Sequence, residues 1–431
     1  MLTKDGEKEK EGEGEIVETF EGKTRLLVPA VSLIGKVPPK VPAFFNPSAK
    51  LNRDISIIAY RAFMQDLKKN RKSLADSFSG IGARALRVAV EAPEIEEVHM
   101  NDINTLAIDL SKKAAKLNFV TEKCNFSVNE VCNFLTARPT KKNGGERFGI
   151  VDLDPFGSPS QYIDCVLRAV LDRGLISITA TDTAVLSGVY RDVCFRRYYG
   201  RPINNHYANE TAIRLLTSLI ALTASRLELA IHPLFAHANL HYLRVYIQVS
   251  LSSSQANKVY DNIGYLRHCF RCGNRNVITE YDKSEVCELC GNSFSVGGKL
   301  WINRLFDKNF IKKMSSYYYH HDDNLKTNGS NSSNTNNDNK ENIDYYNNNN
   351  NNNNKTDIIK KILAICLNEI DDIPHYFRAD EISSKLKTSP QPLQYVIEKL
   401  STAGYRASKT SLNTSAFKTD ARIDQILSLL R

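Results

Sequence analysis

The chain has 431 residues, 42% of them hydrophobic, and a formal net charge of +9, which leaves room for two or three domains with a sizeable core and suits an anionic partner such as nucleic acid. No apolar run reaches about 18 residues, so a membrane-spanning helix is excluded. The opening stretch MLTKDGEKEKEGEGE lacks the apolar core of a secretory signal and is too acidic for a mitochondrial presequence. Residues 1–15 therefore read as a disordered charged tail, and the expected compartment is nucleus or cytoplasm rather than mitochondrion.

In chain order, PAFFNPSAKLNRD at 42–54 reads as a hydrophobic staple, an Asn-Pro turn and a helix start, with Arg53 inside the helical run. From about residue 56 to 186 short apolar runs alternate with helical patterns. Strands are expected at 73–78, 97–100, 149–153 and 175–179, and helices at 83–91, 104–118 and 159–171. Such alternation predicts a mostly parallel sheet covered on both faces, with ligands at the carboxyl ends of its strands. A run of Asn with Ser, Thr and Lys near 324–354 cannot bury enough apolar surface to order itself, and a compact helical segment follows it to the end.

The first strand leads into Phe78-Ser79-Gly80-Ile81-Gly82-Ala83-Arg84. Gly80 and Gly82 would let backbone approach a ligand, and the next helix offers free N–H groups. Asp102 follows about twenty residues later, the spacing at which an acid binds ribose hydroxyls. An ordinary strand–helix turn would explain the glycines alone. The glycines with the spaced acid point to a nucleoside cofactor, without separating NAD from S-adenosylmethionine.

The stretch Val151-Asp152-Leu153-Asp154-Pro155-Phe156-Gly157-Ser158-Pro159 resembles the Asn/Asp-Pro-Pro-Tyr/Phe motif of amino methyltransferases. The lone pair of a guanine amine is delocalised into its ring. A carboxylate (Asp154) and a backbone carbonyl (Pro155) that accept its two N–H bonds would favour the pyramidal form that attacks a methyl group. Phe156 would stack on an extruded base, and no metal is needed. A tight turn with Asp154 as helix cap is the plainer alternative. At 191–201, RDVCFRRYYGR interleaves arginine with tyrosine, which suits phosphate contact and base stacking as well as a solvated helix face.

Of nine cysteines, Cys124, Cys132, Cys165, Cys194 and Cys366 are scattered and read as buried thiols. Cys269, Cys272, Cys287 and Cys290 form two CxxC knuckles, each followed by glycine. Their spacing predicts a closed, structural zinc site. His232, His237 and His241 read as packing residues.

Together these stretches closely resemble the tRNA (guanine-26-N2) dimethyltransferase family. They are FFNPSAKLNRD, FSGIGARALR, DLDPFGSP, TATDTAVLSG and the double CxxC, with DDIPHYF, AGYRASKTS and AFKTDAR in the tail. The resemblance runs from about Phe20 to Arg422. It implies an α/β fold: a Rossmann-like S-adenosylmethionine-dependent methyltransferase domain with a mostly parallel sheet, plus a smaller C-terminal α+β domain containing the four-cysteine module. The expected organisation is a tail at 1–15, the methyltransferase domain at 16–255, the zinc module at 256–322, a disordered Asn-rich insert at 323–355, and a helical, winged-helix-like remainder at 356–431 that helps hold tRNA. It implies that Arg53 and Arg84 contact the cofactor, that Asp102 holds its ribose and that Phe44 lines the guanine pocket. Asn129, beside Glu130, stands where relatives place an acid against the adenine, and Thr410-Ser411 replaces a Thr-His pair. The implied activity is methylation of the N2 amine of guanine 26 in tRNA, first to the mono- and then to the dimethylated base, with no obligate protein partner evident. The alternatives are an RNA-binding protein that lost activity and an amino methyltransferase for another nucleic-acid target.

Overall fold

Strand burial sets the architecture of the first of two units into which the chain divides, Met1–Asp152 and Leu153–Arg431. The computed structural model describes residues 14–35, 38–67, 72–137, 147–239, 241–281, 286–327 and 352–431. The first unit opens with an antiparallel hairpin, β1 (Ile16–Glu21) and β2 (Thr24–Pro29), then the short α1 (Val31–Ile34). A 3-10 turn at Pro47–Ala49, capped by the Asn46 side chain on the Ser48 N–H (3.0 Å), leads into α2 (Lys50–Met64).

An alternating series follows: β3 (Ser73–Asp76), α3 (Ala83–Glu91), β4 (Glu97–Asn101), α4 (Thr105–Leu117), β5 (Cys124–Ser127), α5 (Val131–Thr136) and β6 (Phe148–Leu153). The strands pair in parallel in the order β5-β4-β3-β6, with Leu74 opposite both Val98 and Ile150. Every residue of β3 and β6 is buried, the mark of a parallel sheet covered on both faces. The helix expected at 83–91 has those bounds. The one expected at 104–118 lies between an Asn104 N-cap, which accepts the Ala107 N–H, and an Asn118 C-cap. The strand expected at 73–78 ends at Asp76, because Ser77 already begins the turn toward α3.

The second unit begins on the last residue of β6. A 3-10 turn at Ser160–Tyr162 precedes α6 (Ile163–Ala169), and β7 (Val170–Ala180) follows at once. The helix expected at 159–171 is thus too long and the strand expected at 175–179 too short. Pairing decides this: Asp172 accepts the Leu251 N–H (2.8 Å), and β7 pairs with a later strand from Gly174 onward, so tertiary contacts override the local helical period. Next come α7 (Thr183–Leu186), α8 (Arg191–Tyr198), the largely buried α9 (Ala208–Ser225), β8 (Leu229–Asn239) and β9 (Tyr242–Leu251). The three long strands are antiparallel in the order β7-β9-β8.

After α10 (Ser253–Ala256), a second antiparallel sheet of β10 (Ile263–His268), β11 (Arg275–Ile278) and β12 (Ser295–Trp301) carries the cysteine knuckles on its loops, with β10 central. The remainder is α11 (Lys308–Thr327), α12 (Asn352–Asn368), β13 (Phe377–Arg378), α13 (Ala379–Leu386), α14 (Leu393–Thr402), β14 (Ala407–Thr410), β15 (Asn413–Thr419) and α15 (Ile423–Leu430). The tail is therefore not purely helical. A three-stranded sheet, β13-β15-β14, packs with the helices around Phe377, Ile382, Val396, Leu400, Phe417 and Ile426; its strands are short and mostly polar, so no apolar run betrays them. Helix enters the insert expected to be disordered at 323–355 from both sides, over 323–327 and 352–355, so the expected bounds are too wide. Residues 328–351 and the expected N-terminal tail up to residue 13 lie outside the described residues. Among the described residues no helix is long and apolar enough to cross a membrane.

Candidate active site and metal centre

The glycine turn after β3 is tied down by the acid at the end of β4. One carboxylate oxygen of Asp102 accepts the Gly80 N–H (2.8 Å) and the other accepts the Asn104 N–H (2.9 Å). Gly80 and Gly82 have φ of +52° and +79°. A Cβ on Gly82 would stand 2.8 Å from Ser111 Oγ, and one on Gly80 3.3 Å from the Phe44 carbonyl. Both positions thus need glycine for conformation and for space. Ser77 and Ser79, on the same turn, each bury a hydroxyl with no hydrogen-bond partner among the described residues. Unsatisfied hydroxyls beside a glycine turn and a carboxylate with lone pairs to spare fit the hydroxyl-rich sugar of a nucleoside cofactor. The Asn101 side chain holds the neighbouring loop: it donates to the carbonyls of Ser77 (3.3 Å) and Asn129 (3.0 Å) and accepts the Asn129 N–H (3.1 Å). Asn129 is thereby fixed at the end of β5, and Glu130 caps α5 on the Asn133 N–H (3.0 Å).

Arg53 and Arg84 are buried. Arg53 is bidentate on Glu21 and donates to the Asn46 carbonyl (3.0 Å), with its guanidinium 5.2 Å from the Phe45 ring centre. Arg84 donates to Asn52 (3.2 Å) and Ser56 (2.5 Å) and faces Asp152 at 3.5 Å, which also takes the Tyr60 hydroxyl. Sequence reasoning missed the charge cluster behind Arg53, where Arg87 joins Glu21, Asp54 and Glu91. Burial pushes the Glu21 carboxyl up, but Arg53 and Arg87 more than offset that and hold it below its ordinary range. The cluster fixes β1, α2 and α3 against one another, and Arg84 separately ties α3 to α2 through Asn52 and Ser56.

In the second unit Asp154, the residue after β6, is about a quarter exposed, and Arg244 Nη1 lies 3.7 Å from its carboxylate. Arg244 is fully buried. It donates to the Tyr246 hydroxyl (3.1 Å) and to Thr179, and its guanidinium is 5.4 Å from the Tyr246 ring centre. Pro155 is buried and Phe156 is 58% exposed. Gly157, at φ +81°, is clamped to Thr181: its N–H goes to the Thr181 hydroxyl (2.6 Å) and its carbonyl takes the Thr181 N–H (2.9 Å). Ser158 donates to the buried Tyr198 hydroxyl (2.9 Å), which donates to Asp182 (2.6 Å), and Arg197 pairs with the same acid at 3.1 Å. The arginine–tyrosine segment therefore splits. Tyr198 and Arg197 brace the Asp154 turn through Ser158 and Asp182, while Phe195 and Tyr199 stay exposed. Thr179, Thr181 and Asp182 all fall in the TATDTAVLSG stretch; Arg244 left no local signal.

The sulfurs of Cys269, Cys272, Cys287 and Cys290 lie within 4.8 Å of one another, with Cys269–Cys290 at 3.4 Å and Cys272–Cys287 at 3.5 Å. Zn–S bonds of about 2.3 Å require S–S edges near 3.8 Å, so the donor set fits a tetrahedral zinc with no open position. Gly273 and Gly291 follow the knuckles at φ +87° and +71°, each N–H returning to the carbonyl of its first cysteine. The histidine expectation holds for His237, which is buried and stacked on Phe235 and Tyr246. It fails for His232, exposed on β8 and bonded to Asp307 at 2.9 Å, and for the exposed His241; edge positions of a strand and its turn face water. Cys124, Cys194 and Cys366 are buried free thiols, whereas Cys132 and Cys165 are disulfide-bonded, against the reading of all five as thiols.

A parallel sheet with a glycine turn after its first strand and an Asp-Pro-Phe turn after its last defines a Rossmann-like methyltransferase. The model of the N2,N2-dimethylguanosine tRNA methyltransferase family matches residues 22–332 and 335–431, and the chain belongs to that family. A tRNA (guanine(26)-N(2))-dimethyltransferase of Methanothermobacter thermautotrophicus is 33% identical over 411 residues, covering 95% of this chain and 97% of that one. The tRNA (guanine(26)-N(2)/guanine(27)-N(2))-dimethyltransferase of Aquifex aeolicus is 36% identical over 291 residues, covering 67% and 72%. The structure of Trm1 from Pyrococcus horikoshii with S-adenosyl-L-methionine superposes with a TM-score of 0.74 at 25% identity, covering 96% of this chain and 99% of that one.

Proposed function

We propose that this chain methylates the exocyclic N2 amine of guanine 26 in tRNA, twice in succession, with S-adenosylmethionine as donor. The observation that carries the reading is the Asp154 carboxylate, partly exposed at the end of β6 and held beside the buried Arg244 guanidinium. When bound, S-adenosylmethionine supplies an electrophilic methyl group. Gly80, Gly82, Asp102, Asn129 and Glu130 form the cofactor's bed, with Asp102 on the ribose hydroxyls while it holds the Gly80 N–H. Arg53 and Arg84 serve that bed from their buried pairings. Asp154 and the Pro155 carbonyl accept the two N–H bonds of the guanine amine, which turns its lone pair out of conjugation. Phe156 stacks on the extruded base, Phe44 lines its pocket, and Arg244 fixes the carboxylate's direction. The amine proton released on methylation passes through Asp154 to water, which restores the carboxylate for the second transfer. The family's name and those of its relatives, together with the basic composition, support tRNA as substrate, and the segment 356–431 is assigned to holding it.

The test is transfer of labelled methyl to an unmodified tRNA transcript by the wild type and by Asp154→Ala. Transcripts with guanine 26 or guanine 27 replaced serve as controls, the second because the Aquifex relative is named for both positions. Label that requires Asp154 and guanine 26 supports the reading. Full activity of Asp154→Ala, or label that persists without guanine 26, overturns the corresponding part.

A further inference from the structure

A cavity of about 200 Å³ in the second unit is walled by the first cysteine knuckle, the segment leading into α9, and α13. Three of its lining side chains bury polar atoms that have no hydrogen-bond partner among the described residues: Asn205 Nδ2, His268 Nδ1 and Glu381 Oε2. Their neighbours fix how they point. The Asn205 carbonyl oxygen accepts the Tyr207 N–H at 2.8 Å, which leaves its NH2 as the group to be satisfied. The other oxygen of Glu381 takes the Arg275 guanidinium, itself bonded to the carbonyls of Gly273 (3.2 Å) and Tyr376 (3.0 Å) and packed on the Tyr207 and Phe377 rings. His268 is 4% exposed and the Glu381 side chain 7%, so bulk water does not compensate them.

The wall is also shaped to stay open. A Cβ on Gly273 would stand 2.8 Å from Lys385 Cε and 3.3 Å from Glu381 Oε1. Lys385 lies one turn after Glu381 on α13, which puts a cation on the same face. Phe270, which also lines the cavity, contacts His268 edge-on at 4.5 Å and is 57% exposed.

Buried polar atoms are rarely left unpaired, and three of them on side chains that line one cavity call for a polar occupant. The volume falls below the ~300 Å³ at which pockets for larger ligands begin; it suits one planar ring system. An amide donor, a carboxylate acceptor, a ring nitrogen and an exposed aromatic are the groups with which proteins read the edge and face of an unstacked RNA base. We propose that this cavity receives a second base of the bound tRNA, one that carries an exocyclic amine. Its amine donates to Glu381 Oε2, its ring nitrogen or carbonyl accepts from Asn205 Nδ2, and Phe270 covers its face. Uracil, which has no exocyclic amine, is disfavoured. The inference rests on tRNA being the substrate.

The test compares full-length wild type, Asn205→Asp and Phe270→Ala on an unmodified tRNA transcript. Asn205→Asp keeps the oxygen that accepts the Tyr207 N–H and replaces only the donor that faces the cavity. Phe270→Ala removes an exposed ring. Dimethyl sulfate and kethoxal footprints report the Watson–Crick edges of A, C and G. The expected result is one base other than guanine 26 that wild type protects and both variants release. With it, tRNA affinity should fall about tenfold and affinity for S-adenosylmethionine should be unchanged. Replacing that base by uridine should weaken wild type by the same factor and the variants no further. Footprints and affinities identical across the three proteins would overturn the pocket and leave the proposed function standing. Failure of wild type to bind tRNA at all would overturn both.

Discussion

The ammonium of Lys418 on β15 lies 2.8 Å from the carboxylate of Glu210 on α9, 208 positions away in sequence, and neither side chain is exposed at all. Arg214 takes the same carboxylate at 2.8 Å and spends its other N–H groups on the carbonyls of Trp301, Asn303 and Asp371. Lys418 also reaches Glu369 at 3.1 Å, and Glu369 accepts from Thr410 and Ser411. Ser411 thus serves the second oxygen of a buried acid. Removing one partner from such a set leaves an uncompensated charge. Lys418→Met should cost about 3–5 kcal/mol, read as a lower denaturant midpoint. A cost under about 1 kcal/mol would mean that the set contributes nothing beyond packing.

The same residues set an acid limit. Burial pushes the Glu210 carboxyl up, but Lys418 and Arg214 together hold it below its ordinary value of 4.5. A lowered folded-state pKa stabilises fully above the unfolded value, and that share is lost as pH falls through the folded one. Stability measured from pH 7 downward should therefore drop below about pH 4.5, and Glu210→Gln should flatten that part of the curve. An unchanged acid limb would assign the drop to other carboxyls, Glu21 first.

Asp102→Asn tests the turn rather than the fold. The amide can offer only one oxygen where the carboxylate offers two, and its NH2 would face the Gly80 or the Asn104 N–H. The expected outcome is affinity for S-adenosylmethionine lower by about ten- to a hundredfold, since a hydrogen bond to a charged group is worth about 1.5–3 kcal/mol. Calorimetry on the purified variant would measure it. Equal affinity would show that Asp102 does not hold the ribose.

Arg244→Lys separates direction from charge. The lysine keeps a cation near Asp154 but loses the planar fork that also engages Thr179 and the Tyr246 hydroxyl. The prediction is a kcat lower by about tenfold or more, because a misdirected acceptor loses effective concentration, with tRNA KM almost unchanged. A shift in KM alone would make Arg244 a binding residue.

What the sequence shows of this site follows from how local each part is. The β3–α3–β4 series, the glycine turn and the Asp154 turn are legible because each is a contiguous pattern set by a period or by a backbone need, as Gly80 and Gly82 illustrate. Arg53, Arg84 and Arg244 show the limit. Arginine is visible in the string, but Glu21 lies 32 positions from Arg53, Thr179 65 from Arg244, and Lys418 208 from Glu210. Partners brought together by strand pairing and helix packing leave no spacing to read. The helix expected through residue 171 fails for the same reason, since Asp172 is claimed by Leu251.

The cysteine centre supports the tail as well as its own loops. Leu289, inside the second knuckle, packs on the tail core, and Arg275, just past the first, pairs with Glu381 of α13. Metal binding at such a site is folding free energy. Purified wild type should contain about one zinc per chain, and Cys287→Ser much less, because three thiolates hold the ion poorly. The variant should also melt earlier and expose the 356–431 segment to protease. Its methyl transfer per folded molecule at low temperature should stay within about threefold of wild type, since a closed four-sulfur site has no position for substrate. Zinc-free wild-type protein of full stability would overturn the four-cysteine reading. Loss of transfer by folded Cys287→Ser would instead place the knuckles in tRNA binding, where the cavity beside Phe270 is the first part to probe.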